Sequence, residues 1–588
     1  MIAPKRWQVH PNHPLTASLA ETLRVPPLVA HLLAYRGYEN AGAAAEFLNP
    51  RMRQLHDPAM IPGMDAAAER MITALRGGER IVVYGDYDVD GITASSILWH
   101  MMRALRPELK IALYIPHRME EGYGLNQDAL QKLVKKGAKL IVTVDCGITA
   151  VAEAGCLEST DADLIITDHH EIGDALPMAY ALVHPRLHDF DPDEPPYPFG
   201  ELCGAGVAWK LAWHLARTWF GTDKLPAEIR DLLMDLLPLA AMGTVADIVP
   251  LRGENRVIVR YGLERIGKTP FEGLQMLIEA AGVQKDKVDT GEVGFQLGPR
   301  LNAVGRLGHA KEALELLTSA KGNRAKELAQ LLNEVNEERQ VKQQNLADSA
   351  KRMVRETGLD RPENRIIILS DSEWHAGILG ITASTLVQTF YRPTILMQER
   401  EDGSVTGSAR SIEGFDIHAA LVAHADYFQR FGGHAMAAGL TMPIQDLEAF
   451  RTAMSNYARA RISEQDLVPS LRLDAQVRLR TLNLETWRML RMLAPFGQSN
   501  PEPRFLVPQV KLVGDVKVMK EKHVSFTVEQ AGITARCVGW NMAARFGTVE
   551  EGTLMDIACT LDVNTFRGNT AIQLMLLDAR PAQSENHA

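Results

Sequence analysis

Residues 80–95 read Arg-Ile-Val-Val-Tyr-Gly-Asp-Tyr-Asp-Val-Asp-Gly-Ile-Thr-Ala-Ser, and this stretch decides the fold of the chain around it. The apolar run 81–84 is short, rich in β-branched residues and followed by glycine, so it predicts a buried strand. Gly91 permits a tight exit, and residues 92–105 predict a helix. A strand that ends in a polar loop before a helix is where open α/β sheets place their functional sites.

Three carboxylates, Asp86, Asp88 and Asp90, occupy alternate positions after that strand. If the backbone stays extended there, they share one face. Carboxylates so close repel each other unless a cation lies between them, and oxygen ligands of this kind suit Mg²⁺ or Mn²⁺. The alternative is that these Asp and Gly residues only form a turn.

The composition is that of a globular protein. The 588 residues are enough for roughly three or four domains. A net charge of −10 gives no global attraction for nucleic acid, so a polyanion has to be held by a local basic surface or through metal ions. The five cysteines are scattered, which argues against disulfides or zinc and fits a reducing cytoplasm. We find neither a signal peptide nor an apolar stretch long enough to span a bilayer, so we expect a soluble protein.

Short apolar runs alternate with helical patterns from residue 79 to about 251, which predicts a parallel sheet with right-handed crossovers. Residues typical of metal ligands follow three more of these elements. They are Asp145, Asp168 with His169 and His170, and Asp247. A lone Asp after a strand is more often a helix cap. Four such segments at the edge of one predicted sheet indicate a metal site.

Two later regions suggest contacts with phosphate. Residues 298–306, Gly-Pro-Arg-Leu-Asn-Ala-Val-Gly-Arg, carry two arginines among small residues. Residues 365–458 predict a second α/β unit, with glycine-rich loops at 407–411 and 432–439 that would let backbone N–H groups approach an anion. The second loop could equally be a packing turn. Between these regions, residues 324–356 predict a helix about 50 Å long.

Residues 471–580 contain five short alternating strands, which suggests a small barrel such as an OB-fold. Basic and aromatic residues mix there, a pattern that suits single-stranded nucleic acid. They are Lys511, Lys517, Lys520, Lys522, His523, Phe526, Arg536, Phe566 and Arg567. The alternative is a solvated face with aromatic residues in the core.

The predicted fold class is therefore α/β, with a parallel-sheet domain joined by a long helix to a second α/β domain and followed by an OB-like β-barrel. The predicted bounds are 1–70 for a helical N-terminal cap packed on the first domain, 71–308 for that domain, 309–358 for connecting helices, 359–460 for the second α/β domain and 466–583 for the barrel.

Four motifs, in this order, resemble those of the DHH phosphoesterase family. They are residues 85–91, 144–147, 168–170 and 243–250. Residues 374–380, 407–411 and 432–439 are similar to the DHHA1 domain of the same family. The resemblance covers roughly residues 60–580. With the barrel, it implies a single-stranded-DNA-specific 5′→3′ exonuclease of DNA recombination and repair that releases 5′-mononucleotides.

The resemblance also implies a ligand set for two divalent ions, Mn²⁺ or Mg²⁺, and phosphodiester hydrolysis by two-metal catalysis. Asp88 would bind one ion and Asp90 the other. Asp145 would bridge them, and His169 and Asp247 would complete the second site. No serine or cysteine nucleophile is needed.

Further roles follow from the resemblance in the same way. His170 would contact the scissile phosphate. Asp86 and Asp168 would not bind the ions themselves but would orient the residues that do. A pocket for the 5′ phosphate and the first nucleotides would set the direction of degradation, because only the 5′ end of a strand would fit it. Its residues would be Arg118, Arg300 or Arg306, Ser408 with Arg410, Gly433 and His434.

Single-stranded DNA is the substrate that the resemblance implies, and a single-strand-binding protein and a RecQ-type helicase are the expected partners. We expect a monomeric, cytoplasmic protein without membrane contact. One alternative is a small-substrate member of the family that hydrolyses nanoRNA or cyclic dinucleotides. Another is a non-catalytic scaffold that binds nucleic acid.

Overall fold

The computed structural model describes residues 5–118, 120–193, 196–566 and 569–582. The chain forms two compact units. One comprises Gly42–Glu338 and Leu493–Pro501, and the other comprises Met1–Ala41, Arg339–Met492 and Glu502–Ala588. We call them the first and the second unit and describe each by itself.

The first unit is built on a five-stranded parallel sheet, as the alternating sequence pattern predicts. Its strands, in spatial order, are Ala112–Tyr114, Ile81–Gly85, Leu140–Val144, Asp163–Thr167 and Ala181–Val183. The strand that opens the decisive stretch is buried along its whole length. Alternate residues of this strand pack into different apolar clusters, Val83 into one and Val82 into the other, so the sheet is covered on both faces.

Helices supply the two covering layers of the first unit. They are Ala41–Leu48, Met64–Gly77, Val89–Leu105, Gln127–Lys135, Val151–Gly155, Leu187–Phe190, Gly204–Phe220, Ala227–Ala246, Gly253–Ile266, Glu272–Ala280, Thr290–Glu292, Gly298–Leu307 and Lys311–Thr318. Between Thr290–Glu292 and Gly298–Leu307 lies a π-helical segment, Val293–Leu297. The helix Gly204–Phe220 is not among the predicted elements, and it packs against Val89–Leu105 in the same apolar layer.

A 35-residue helix, Gly322–Glu356, crosses the boundary between the units in the sequence. The prediction of a helix over 324–356 is confirmed. Its apolar stripe includes Leu328 and Leu332, which are buried. In the described part of the chain, we find no helix with the length and apolar character that a bilayer crossing requires.

The second unit contains the second α/β sheet, again as predicted. Its strands, in spatial order, are Arg430–His434, Ala437–Pro443, Ser404–Arg410, Thr394–Glu399 and Ile367–Asp371. Only the last two pair in parallel. The helices Ala376–Phe390, Ile417–Val422 and Leu447–Arg461 belong to this domain.

The prediction of glycine-rich loops at 407–411 and 432–439 is wrong. Both stretches lie largely in antiparallel strands, with a tight turn at 435–436. The glycines serve close packing between strands. Gly433 has φ +144°, and a Cβ there would overlap the carbonyl oxygen of Ala437. Sequence alone suggests a loop because glycine is rare inside strands.

The barrel closes as predicted. Five strands form the ring through antiparallel and parallel pairings, and the first strand pairs again with the last. Around the ring, the strands are Phe505–Met519, His523–Gln530, Ile533–Gly539, Asn569–Pro581 and Leu554–Phe566. Phe526 lies in the barrel core at 4% exposure, so its ring cannot receive a base. Arg567 and the side chain of Phe566 lie outside the described residues.

The expectation that residues 1–70 form one cap on the first domain is wrong. The strand Arg6–Val9 pairs in parallel with Ser470–Leu473, and the His31 Nε2 atom lies 2.8 Å from the carbonyl oxygen of Asp474. The segment up to residue 41, with helices Thr16–Leu23 and Pro27–Tyr35, therefore belongs to the second unit. Helical spacing of apolar residues does not reveal which distant strand a short strand will pair with.

Candidate metal centre

Three neighbouring strands of the first unit end in carboxylates. Asp86, Asp145 and Asp168 each follow one of the strands Ile81–Gly85, Leu140–Val144 and Asp163–Thr167. Because these strands are parallel and adjacent, their carboxyl ends meet at one edge of the sheet. The structure thus brings together side chains that are far apart in the sequence.

Asp88 and Asp90 also lie at this edge, but the backbone that carries them is not extended throughout, whereas the sequence predicts that it is. The backbone is extended at Asp88 but turns helical at Val89, because the Asp88 carboxylate caps the helix Val89–Leu105. It accepts hydrogen bonds from the backbone N–H of Asp90 at 2.9 Å and of Gly91 at 3.2 Å. The three carboxylates therefore do not alternate along one extended face, and the helix begins three residues earlier than predicted.

Asp90 points from the first turn of that helix to the N-terminus of the helix Gly204–Phe220. Its two oxygens accept hydrogen bonds from the N–H groups of Gly204 at 2.6 Å and Ala205 at 2.9 Å. A Cβ at Gly204 would lie 2.6 Å from the Cβ of Asp145, so a larger residue cannot stand there. Sequence reasoning missed this support, and the only signal for it is the run of small residues 204–206 before an apolar helix.

Three closely spaced groups of ligand-type atoms result. Asp86, Asp88 and Asp145 form one, and Asp90, His169 and Asp247 form another. The third group, Asp145 with Asp168, His169 and His170, shares a residue with each of the other two. The His169 Nε2 atom lies 3.1 Å from Asp145 Oδ1, 3.6 Å from Asp247 Oδ2 and 3.8 Å from Asp90 Oδ2. The predicted ligands thus lie within one cluster. Asp145 and His169 connect its two halves.

Several of these atoms are buried without a hydrogen bond. Among the described residues, Asp86 Oδ1, Asp145 Oδ1 and His169 Nε2 have no hydrogen-bond partner. Burial and the neighbouring Asp90 raise the pKa of Asp145 well above its usual value, and burial with Asp88 does the same to the pKa of Asp86. Burial and Asp90 also raise the pKa of Asp247 to about 8. Such a cluster is unfavourable without cations, and its oxygen-rich donor set with one imidazole fits Mg²⁺ or Mn²⁺.

Asp168 forms hydrogen bonds with backbone N–H groups of two neighbouring loops and with the His170 side chain. Its oxygens accept hydrogen bonds from the N–H of Ile148 at 2.9 Å and of His169 at 2.7 Å, and Oδ1 lies 2.7 Å from His170 Nδ1. Burial opposes the charged form of His170, but the hydrogen bond with Asp168 raises its pKa to about 9. Tyr123, which sequence reasoning missed, places its hydroxyl 3.1 Å from the same Nδ1. Its position between two glycines is a weak signal.

The predicted arginines of the first unit contact Tyr87 or lie on the helix Gly298–Leu307. The Arg118 guanidinium lies 4.7 Å from the ring centre of Tyr87, the residue between the aspartates 86 and 88. Arg306 acts electrostatically on the same tyrosine. Arg300 is held by Asn333 Oδ1 at 3.0 Å and by the carbonyl oxygen of Gln296 at 2.7 Å. All three are positioned near the sheet edge or on the helix Gly298–Leu307 beside it.

The remaining predicted residues lie in the second unit. Ser408 and Arg410 share one face of their strand, and Arg410 Nη1 donates to Ser408 Oγ at 3.1 Å. Arg410, Ala437 and His434 are register partners across three strands, so they share that face. Its other register positions carry Gly432 and Gly439, which are exposed. Gly380 of the helix Ala376–Phe390 lies against Ser408 and Arg410, since a Cβ there would come within 2.7 Å of the guanidinium.

Family comparisons agree with this architecture. Residues 80–244 match the DHH family, N-terminal domain, residues 363–460 match the DHHA1 domain and residues 473–578 match the RecJ OB domain. The fold and the carboxylate cluster are thus those of a DHH-family phosphoesterase that carries a DHHA1 domain and a barrel.

Proteins that match nearly the whole chain identify the family within this class. The chain is 39% identical to the single-stranded-DNA-specific exonuclease RecJ of Bacillus subtilis (strain 168), over 98% of this chain and 71% of the relative. It is 33% identical to the protein of that name from Escherichia coli (strain K12), over 95% and 96%. The crystal structure of RecJ in complex with Mn²⁺ from Thermus thermophilus aligns with a TM-score of 0.82 at 31% identity, covering 98% of this chain and 80% of that one. The chain belongs to the RecJ family.

Proposed function

We propose that this protein is a single-stranded-DNA-specific exonuclease that hydrolyses phosphodiester bonds from the 5′ end and releases 5′-mononucleotides in DNA recombination and repair. The observation that carries the proposal is the buried cluster of carboxylates and His169 at the edge of the parallel sheet. Relatives named as single-stranded-DNA-specific exonucleases match the chain over nearly its full length, barrel included. A small-substrate phosphodiesterase would have no evident use for that barrel.

The ligand groups suggest how two divalent ions, Mn²⁺ or Mg²⁺, would be held. Asp86 and Asp88 would bind one ion, and Asp90, His169 and Asp247 the other, with Asp145 between them. This assignment makes Asp86 a ligand rather than a support, because its Oδ1 atom is buried and otherwise unpaired. Bound ions supply charge that lowers the pKa of an attacking water and stabilises the leaving oxygen.

The protein's own groups prepare the site for that chemistry. Asp90 is fixed by two backbone N–H groups, so its carboxylate would be held in place for the ion that it is proposed to bind. Asp168, which is fully engaged by hydrogen bonds, orients His170 and keeps it protonated, and we assign His170 to the scissile phosphate. Burial raises the pKa of the nearby Cys146 and Cys203 thiols well above their usual value, so neither serves as a nucleophile.

Polarity would come from contacts to the terminal phosphate. We assign Arg118, Arg300 and Arg306 in the first unit to the first nucleotides. In the second unit, Arg410, with Ser408, Gly433 and His434, would bind the 5′ phosphate, because a guanidinium forms paired hydrogen bonds with phosphate. The small residues at the register positions of Gly432 and Gly439 leave room for an anion above the sheet.

The proposed functional domains are residues 71–308, 309–358, 359–460 and 466–583, and strand capture is assigned to the last of them, the barrel. The barrel presents Trp540, which is 56% exposed and whose ring lies 4.7 Å from that of His523. A single-strand-binding protein and a RecQ-type helicase are proposed partners, and a monomer in the cytoplasm is the proposed state.

One degradation experiment tests the proposal. DNA labelled at the 5′ or the 3′ end, single- or double-stranded, is incubated with the full chain and Mn²⁺, with and without EDTA. The expected result is immediate release of the 5′ label as a mononucleotide from single strands only, and none in EDTA. Release of the 3′ label first, or equal degradation of duplex, would overturn the proposal.

A further inference from the structure

Ile248 is strained and exposed next to the metal centre. It directly follows Asp247, has φ +62° and is 66% exposed. A β-branched side chain at positive φ is an outlier, and such strain collects at functional sites. An exposed apolar side chain in a strained conformation does not stabilise the fold, so stability does not account for Ile248 at this position.

Phe295 is a second exposed apolar side chain in the same unit. It lies in the π-helical segment Val293–Leu297 and is 80% exposed, the largest fraction of any large apolar side chain among the described residues. Pro299 explains the wide turn, because it lacks the N–H group that would bond to the Phe295 carbonyl and its ring crowds that oxygen. Val293 and Leu297 remain fully buried, so the segment is anchored while Phe295 faces solvent.

These two side chains occupy neighbouring segments. A Cβ at Gly294 would lie 3.9 Å from Val245 Cγ1, so the π-helical segment packs on the end of the helix Ala227–Ala246, just before Ile248. The residue after Phe295 is Gln296, whose carbonyl oxygen accepts the 2.7 Å hydrogen bond from Arg300. The segment that carries the exposed Phe295 therefore binds a fixed guanidinium through its backbone and packs on the helix end that leads to Asp247.

We propose that Phe295 and Ile248 form an apolar platform on which a nucleobase of the bound single strand stacks, with Arg300 on an adjoining phosphate. This proposal rests on the proposed function. A nucleotide combines a flat apolar base with a phosphate, which are the two groups that this surface can receive. Bases in a duplex are already stacked, so the platform would favour a single strand.

The test is binding of single-stranded oligonucleotides that carry 2-aminopurine at successive positions from the 5′ end. Binding is measured in EDTA, so the strand is not cleaved. With the wild type, one position near the end should be quenched most strongly. Phe295→Ala should lose that quenching and weaken binding about tenfold, which corresponds to about 1.4 kcal/mol. Phe295→Trp should keep both, whereas Phe295→Leu should keep neither fully.

Two further variants separate recognition from folding. Phe220→Ala removes another exposed phenylalanine of the first unit, 40% exposed, and should bind like the wild type. Ile248→Gly removes the side chain at a φ that glycine adopts without strain. Its melting temperature should be unchanged or higher, yet binding and quenching should fall.

The outcomes distinguish this inference from the proposed function. If the wild type degrades single strands in Mn²⁺ but Phe295→Ala binds and quenches like the wild type, the platform is overturned and the exonuclease proposal stands. If the wild type neither degrades nor binds single strands, both fail. Equal losses in Phe220→Ala and Phe295→Ala would also overturn the platform, because they would assign the effect to general surface changes.

Discussion

Asp145→Asn should have opposite effects on the stability of the first unit without and with metal ions. Asparagine keeps the size of the side chain but removes one charge from the cluster that Asp145 shares with Asp90 and His169. Burial and Asp90 raise the pKa of Asp145 above the unfolded value of 3.8. Its charge therefore destabilises the metal-free fold increasingly as pH rises above that value, so the variant should melt at a higher temperature than the wild type at pH 7.

With Mn²⁺ the order should reverse. A ligand at one hundred times its dissociation constant stabilises the protein that binds it by about 2.7 kcal/mol. Each kcal/mol moves the melting temperature of a domain of this size by roughly 2–4 °C, so the wild type should gain roughly 5 °C or more. The variant, which has lost the carboxylate between the two ligand groups, should gain much less. Hydrolysis should fall roughly 10²–10³-fold or more, by analogy with the loss of one stabilising group in other active sites.

The assay is a melting curve at pH 7, with EDTA and then with a Mn²⁺ titration, followed by single-turnover hydrolysis. Asp161→Asn is the matched control, because the Asp161 side chain is 93% exposed and forms a surface ion pair with Lys139 at 3.5 Å. It should match the wild type throughout. If Asp145→Asn melts at a lower temperature in EDTA, or gains as much from Mn²⁺ as the wild type, Asp145 does not belong to a metal centre.

Three other predictions test separate parts of the protein. Activity should be lost in EDTA and return with Mg²⁺ or Mn²⁺ but poorly with Zn²⁺, which prefers tetrahedral N/S sites; full activity after chelation would refute metal catalysis. Arg410→Ala should slow hydrolysis of 5′-phosphorylated strands more than of 5′-hydroxyl strands, whereas the exposed Arg400→Ala should change neither; equal loss on both substrates would assign Arg410 to general backbone contact. Trp540→Ala should weaken binding of long strands by roughly 1–3 kcal/mol without affecting very short ones; unchanged binding of long strands would remove Trp540 from the DNA-binding surface.

The sequence predicts the position of the metal centre because its signals are local. A buried strand followed by a carboxylate can be recognised wherever it occurs, and the parallel sheet then brings Asp145 and Asp168 to the same edge as Asp86. What the sequence does not reveal is the direction of each carboxylate. Whether Asp88 caps a helix or faces its neighbours depends on where helix geometry begins, and that start lies three residues before the predicted one.

Long-range contacts account for the other differences. The strand Arg6–Val9 finds its partner more than 450 residues away, and no periodicity in either segment encodes that pairing. The glycine-rich stretches around Ser408 and Gly433 resemble loops because small residues lack an apolar pattern, although strands that approach closely require small residues. Local composition is ambiguous wherever the reason for a residue lies on another strand.

The same distinction explains why the sequence reveals the proposed ligands of the centre but not the groups that support them. A ligand must be an Asp, Glu, His or Cys, so its residue type alone makes it a candidate. The groups that fix Asp90 are backbone N–H groups of Gly204 and Ala205, which almost any residue carries. Their only trace is the absence of a side chain at Gly204, where a Cβ would collide with Asp145. The order of the centre therefore rests on small residues as much as on acidic ones, and Gly204→Ala should displace Asp145 although no ligand is changed.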